Sequence, residues 1–138
     1  QDGYMEYIRC LLLKLLIITV RKIGRAEQSA NVSDVVRNLT EHIRLNYANP
    51  LPITHLAIQY GYSVSHLSRK FSLEMGMGFS EYTQRVRVGQ SCRLLESTDM
   101  PIVEIASAVG YDDQKFFNQV FRKVLGITPR EFRKSVGH

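Results

Sequence analysis

PITHLAIQYGY at residues 52–62 and PIVEIASAVGY at residues 101–111 are two copies of one pattern, with Pro, Ile, Ala, Gly and Tyr in the same places. After one extra residue in the second copy the echo continues. Leu67, Phe71, Gly76 and Tyr82 are answered by Phe117, Phe121, Gly126 and Phe132. Register held over this length means that one supersecondary unit is used twice. The unit is legible from its residues. A short helix opens with proline in its first turn, where the missing N–H does no harm. Ala57 or Ala106 lets a second helix cross closely, and Gly61 or Gly110 supplies a turn in which positive φ is cheap. The second helix buries Val64, Leu67, Phe71 and Met75 in one copy, and Phe117, Phe121 and Val124 in the other. Helix, tight glycine turn and helix make a helix-turn-helix, here over about residues 53–75 and 102–125.

Working outward, Phe79 to Thr98 contains no proline and reads as one helix, roughly 25–30 Å long at 1.5 Å per residue. Its apolar residues Tyr82, Val86, Val88, Cys92, Leu94 and Leu95 spread too widely for a single stripe, which suits a strut packed against both units. Gly89 inside it costs up to about 1 kcal/mol against alanine. Thr128-Pro129-Arg130-Glu131 is a capping box with proline at the first helical position, opening a final helix from Pro129 to Lys134 that packs through Phe132. Upstream, Ser33 can cap a helix carrying Val36, Leu39, Ile43 and Tyr47, which Asn49-Pro50-Leu51-Pro52 ends. Asp112 stands where the second unit's recognition helix is expected to have its N-cap. Further upstream, Tyr4 to Ile23 reads as a helix apolar on nearly all sides, which must bury against other protein. The polar stretch Gly24 to Asn31 reads as a linker. The start at Gln1 rather than methionine suggests a piece of a longer protein.

A chain of 138 residues with 44% hydrophobic and 22% charged residues has the composition of a globular protein. Its net charge of +5 favours nucleic acid or an acidic surface as partner. Cys10 and Cys92 are far apart and have no Cys or His at metal-ligand spacing, so free thiols in a reducing, cytoplasmic setting are expected, with no metal and no cofactor. Cys10 to Val20 is too short to span a membrane and has Lys14 in its middle; no signal-peptide cleavage site follows it. No Ser/His/Asp or Cys/His pairing and no carboxylate pair marks a catalytic site, so no catalytic residue is assigned and the chain is read as no enzyme. Gly76-Met77-Gly78 follows a helix rather than a strand and is not a phosphate loop.

The order Ala57, Gly61-Tyr62-Ser63, Leu67-Ser68-Arg69, Phe71, Gly76, Tyr82 and Arg87 resembles the first half of the DNA-binding domain of AraC/XylS-type bacterial transcription regulators. Ile105-Ala106, Val109-Gly110-Tyr111, Phe117, Val120-Phe121-Arg122-Lys123, Gly126, Thr128-Pro129 and Phe132-Arg133 resemble its second, more diagnostic half. The likeness runs from about Val35 to Lys134. It departs from the family at Gly78, Phe79, Gly89 and Ser91. The resemblance implies an all-α domain of seven helices, two helix-turn-helix subdomains joined by a long central helix, with the apolar N-terminal helix in addition. Residues 31–138 are then the DNA-binding domain, and residues 1–30 the end of an upstream regulatory or dimerisation region with its linker. It further implies an activator that works with RNA polymerase, a homodimer in the longer protein, and a small-molecule effector, by resemblance a sugar, on an upstream domain. Leu12, Leu15, Leu16 and Ile17 are the dimerisation candidates; the alternative is that this helix folds back onto its own DNA-binding domain as an extra core helix.

On the first recognition helix Ser65, Ser68, Arg69 and Ser72 share one face, opposite Leu67 and Phe71. The matching face of the second carries Lys115, Asn118, Gln119 and Arg122, with Gln114 near the helix start. Arginine or lysine can bond guanine O6 and N7, and asparagine or glutamine adenine N6 and N7. The family's base-touching positions fall on Ser65, Ser68 and Arg69, and on Gln114, Lys115, Asn118 and Gln119. His66, Lys70, Ser72, Arg122, Lys123, Arg130, Arg133 and Lys134 are the phosphate candidates, which position rather than specify. Arg85 and Arg87 on the strut look structural in the family, tying helices together. A polar helix face is ordinarily only a solvated face; the two matched units are what favour DNA. Two rival readings remain: a helical module attached to a DNA-repair alkyltransferase, and a protein-interaction module without DNA binding.

Overall fold

The computed structural model describes Leu13, residues 32–50 and residues 52–137. Apart from Leu13, which is helical, the reading of Tyr4 to Ile23 as an apolar helix lies outside the described residues, as do the linker and the dimerisation candidates Leu12, Leu15, Leu16 and Ile17. Across the described residues between 32 and 137 seven helices follow one another: α1 (Asp34–Asn46), α2 (Ile53–Tyr60), α3 (Val64–Met75), α4 (Phe79–Ser97), α5 (Ile102–Ala108), α6 (Gln114–Leu125) and α7 (Pro129–Ser135). The fold among the described residues is all-α, as the repeat and the resemblance require. The two helix-turn-helix units are α2–α3 and α5–α6.

Each unit has a core of its own. Val36, Leu39 and Ile43 of α1 pack with Leu56, Ala57, Leu67, Phe71 and Val86. The second core joins Val88, Cys92 and Leu95 to Ile105, Ala106, Val109, Tyr111, Phe117, Val120, Phe121, Leu125, Ile127 and Phe132. The strut α4 contributes to both, Val86 to the first and Val88 and the residues beyond it to the second. That sharing is why its apolar residues are not confined to one stripe. Its buried hydroxyls are satisfied along the helix, Thr83 by the Phe79 carbonyl and Ser91 by the Val88 carbonyl. Tyr47, at the end of α1, packs against both cores.

The helix ends explain the boundaries and correct several expectations. Pro52 and Pro101 stand at the N-cap, one position before the first helical turn. The N-cap of α6 is Asp113 and not Asp112: the Asp113 carboxylate accepts from the Lys115 N–H at 2.9 Å, and Asp112 is exposed beside it. Ser63 caps α3 by accepting from the His66 N–H at 3.2 Å. Ser33 occupies the N-cap of α1, yet its hydroxyl does not cap the helix. Its N–H and hydroxyl donate instead to the two Glu74 carboxylate oxygens at 2.6 and 2.9 Å, tying α1 to the end of α3. Thr128 caps α7, accepting from the Glu131 N–H and donating to the Glu131 carboxylate, both at 3.1 Å. Val64 is 39% exposed and is not a core residue. Val120 and Leu125 are buried on α6 instead, with Val124 only partly covered.

Candidate nucleic-acid interface

Helices α3 and α6 present comparable outer faces. On α3, Leu67 and Phe71 are fully buried, which turns Ser65, Arg69 and Ser72 to solvent and leaves Ser68 half-buried. On α6, burial of Phe117, Val120 and Phe121 leaves Lys115, Gln119 and Arg122 exposed and Asn118 half-buried. Arg69 and Gln119 occupy equivalent positions of the repeat, one turn from Ser65 and Lys115 respectively. The side chains singled out on each recognition helix are thus brought to one face. Among the described residues, no helix is long and apolar enough to cross a membrane, and no group of His, Cys, Asp and Glu could hold a metal ion.

The phosphate candidates divide. Lys123, Arg130 and Lys134 are exposed on the second unit. Arg130 and Lys134 line a shallow cleft with Gln114, Pro101, Ile102 and Val103, so α7 gives this cleft a cationic edge facing the start of α6. Arg133 faces the same cleft, but its guanidinium is committed elsewhere. It donates to the carbonyls of Met100 (2.6 Å), Thr98 (3.2 Å) and Leu95 (3.5 Å), closing the turn between α4 and α5. Its donors hold the fold together, which is the physical reason to move it off the phosphate set. Lys70 sits 3.6 Å from a Glu74 oxygen that also accepts from Ser33, so its charge is partly neutralised. His66 stacks on Tyr62 with ring centroids 5.1 Å apart and stays exposed at the edge of the α3 face.

Two apolar residues share these faces and escaped the sequence reading. Leu73, 79% exposed, lies one turn beyond Arg69. Phe116, 48% exposed, leans edge-on against Tyr111 at 5.7 Å. The repeat register held the signal: Leu73 aligns with Lys123, a position that cannot face the core. Of the strut arginines, Arg85 pairs with Glu81 at 3.1 Å along the helix. Arg87 turns inward, donating to the carbonyls of Tyr47 and Asn49 with its guanidinium over the Tyr111 ring. Burial pushes the Tyr111 hydroxyl above its ordinary pKa, with the Arg87 charge pulling the other way.

With this geometry in place, comparison with known proteins decides the family. The helix-turn-helix domain family matches residues 37–135, from within α1 to the end of α7. The C-terminal domain of AraT, a response regulator from Geobacillus stearothermophilus, is 32% identical and superposes with a TM-score of 0.73, over 76% of this chain and 88% of that one. The chain belongs to the AraC-type helix-turn-helix regulators. An AraC-type DNA-binding-domain protein from Chromobacterium violaceum is 28% identical, with a TM-score of 0.68, over 75% of this chain and 93% of that one. The arabinose operon regulatory protein of Escherichia coli K12 is 31% identical over 136 residues, 96% of this chain and 46% of that protein. The chain spans less than half the length of the curated relatives it matches. As an AraC-type domain it binds double-stranded DNA in transcription regulation, and neither the alkyltransferase reading nor the interaction-module reading is favoured.

Proposed function

We propose that this AraC-type domain reads two successive major grooves on one face of the duplex, α3 in one and α6 in the next. The observation that carries the reading is the pair of outward recognition faces, Ser65–Ser68–Arg69 and Lys115–Asn118–Gln119 with Gln114, mounted on cores that share one strut. Arg69 suits guanine, and Gln119, Asn118 and Gln114 suit adenine. Leu73 offers an apolar surface of the kind a thymine methyl meets. Lys123, Arg122, Arg130, Lys134, His66 and Ser72 hold phosphates on either side, with Lys70 a weaker contributor because Glu74 shares its charge. The domain runs from about residue 31 to 138. In the longer protein we read it as an activator that touches RNA polymerase and acts in the cytoplasm. There it is joined through residues 24–31 to an effector-binding region that responds to a small molecule, a sugar by family likeness, and dimerises through Leu12, Leu15, Leu16 and Ile17.

Alanine substitutions on a site selected from random duplexes test the assignment. Arg69→Ala and Gln119→Ala should each cost about 1–3 kcal/mol and relax preference at one base pair. Lys123→Ala should weaken all sequences alike and lower the salt slope by about one unit. Unchanged base preference in Arg69→Ala and Gln119→Ala would take α3 and α6 out of the reading role.

A further inference from the structure

Three parts of the chain that are distant in sequence meet at the guanidinium of Arg87. Its Nε donates to the Tyr47 carbonyl at 2.6 Å and one Nη to the Asn49 carbonyl at 3.2 Å, both just past the end of α1. The other side of the group lies over the Tyr111 ring, 5.1 Å from its centroid. Tyr111 is 5% exposed and touches Phe116 and Phe117 in the first turn of α6, each with ring centroids 5.7 Å away. Beside it, the Gly110 backbone approaches the same end of α1 so closely that a Cβ there would lie 3.0 Å from the Ala48 carbonyl oxygen and 3.1 Å from that of Tyr47. The first unit, the strut and the base of the second recognition helix therefore share one junction. Two further long polar ties act within a unit: Ser33 to Glu74 in the first, and Arg133 to the α4–α5 turn in the second.

We infer that Arg87 is a positioning residue that sets the phase between the two recognition helices, so that this domain accepts one spacing between its half-sites and rejects neighbouring ones. Each added base pair shifts a half-site by about 3.4 Å and rotates it by about 35° around the duplex. A pair of helices locked in phase can follow that change only by distorting the DNA, whereas a pair free to pivot on α4 can follow it directly. Arginine suits the task because its planar fork holds two carbonyls while its face stacks on an aromatic ring, neither of which lysine reproduces. The inference rests on the two-groove reading above.

The test uses the 138-residue chain and the duplex selected for it, with the segment between half-sites lengthened or shortened by one and two base pairs. The native chain should lose about tenfold or more in affinity for each one-base-pair change. Arg87→Ala should flatten that penalty to about threefold or less, with unchanged salt slope and unchanged affinity for each half-site alone. Arg87→Lys should behave like Arg87→Ala, which separates geometry from charge and keeps the test open where the alanine variant folds poorly. Arg85→Ala should keep the native spacing penalty. If Arg87→Ala and Arg87→Lys stay as selective as the native chain, or lose salt slope as a phosphate contact would, the assignment to Arg87 is overturned. If the native chain itself is indifferent to spacing, its two units pivot freely and the inference falls; if scrambling either half-site leaves its affinity unchanged, the two-groove reading falls with it.

Discussion

Gly110→Ala should lower the free energy of unfolding by about 2–4 kcal/mol, while Gly61→Ala, at the equivalent place in the repeat, should cost only about 1–2 kcal/mol. Both glycines have positive φ, +101° and +75°, so each alanine meets the strain of the left-handed region. Their surroundings differ. A Cβ on Gly61 has nothing within 4 Å, whereas one on Gly110 runs into the carbonyls of Ala48 and Tyr47. The Tyr47 carbonyl is already held by Arg87 and cannot retreat without breaking that bond. Urea denaturation of the two variants side by side measures what the close approach and the larger φ of Gly110 add to the left-handed strain that Gly61 meets alone. Equal losses would mean that the contact between the second turn and the end of α1 contributes nothing.

Phe121→Ala should be more costly still, about 3–5 kcal/mol, a large part of the stability of a domain this size. The ring is fully buried and packs edge-on against both Phe117 and Phe132, with centroids 5.8 Å away in each case. Its removal leaves a cavity between α6 and α7, next to the Phe117 and Phe132 rings. Because the first core has its own residues around Phe71, Phe79 and Tyr82, the damage should be uneven. Amide exchange in α5–α7 should quicken before that in α1–α3. A loss below about 1.5 kcal/mol would show that the site collapses freely and that the second core is not closely packed.

Most of the architecture was legible because the signals that carry it are local or periodic. The repeated Pro, Ala, Gly and Tyr set the two units. Their helices, Ile53–Tyr60 with Val64–Met75 and Ile102–Ala108 with Gln114–Leu125, begin and end where those residues require. Which sides of α3 and α6 look outward was legible for the same reason, since Leu67 with Phe71 and Phe117 with Phe121 fix the buried side. What escaped depends on contacts between distant parts of the chain. Nothing near Ser33 announces that Glu74 will take its hydroxyl, and nothing near Arg133 announces three carbonyls at the end of α4. From sequence each is only a cap and a cation. Asp112 and Asp113 are adjacent and chemically alike, so a one-residue difference in where α6 starts decides which one caps. Val64 looked like core by type, but it opens α3 where the helix has just left the turn. Leu73 shows the converse: apolar by type, it falls on the outer face by register.

The central claim is that one chain spans two grooves with unlike readers. Hydroxyl-radical footprinting of the 138-residue chain on its selected duplex tests it most directly. The account predicts protection of roughly 17–20 base pairs on one face of the DNA, in two patches about 34 Å apart. The sequence preference should differ between the patches, because Ser65, Ser68 and Arg69 are not Lys115, Asn118 and Gln119. Protection of a single groove by one bound chain, or preference for a palindrome centred on it, would contradict the account.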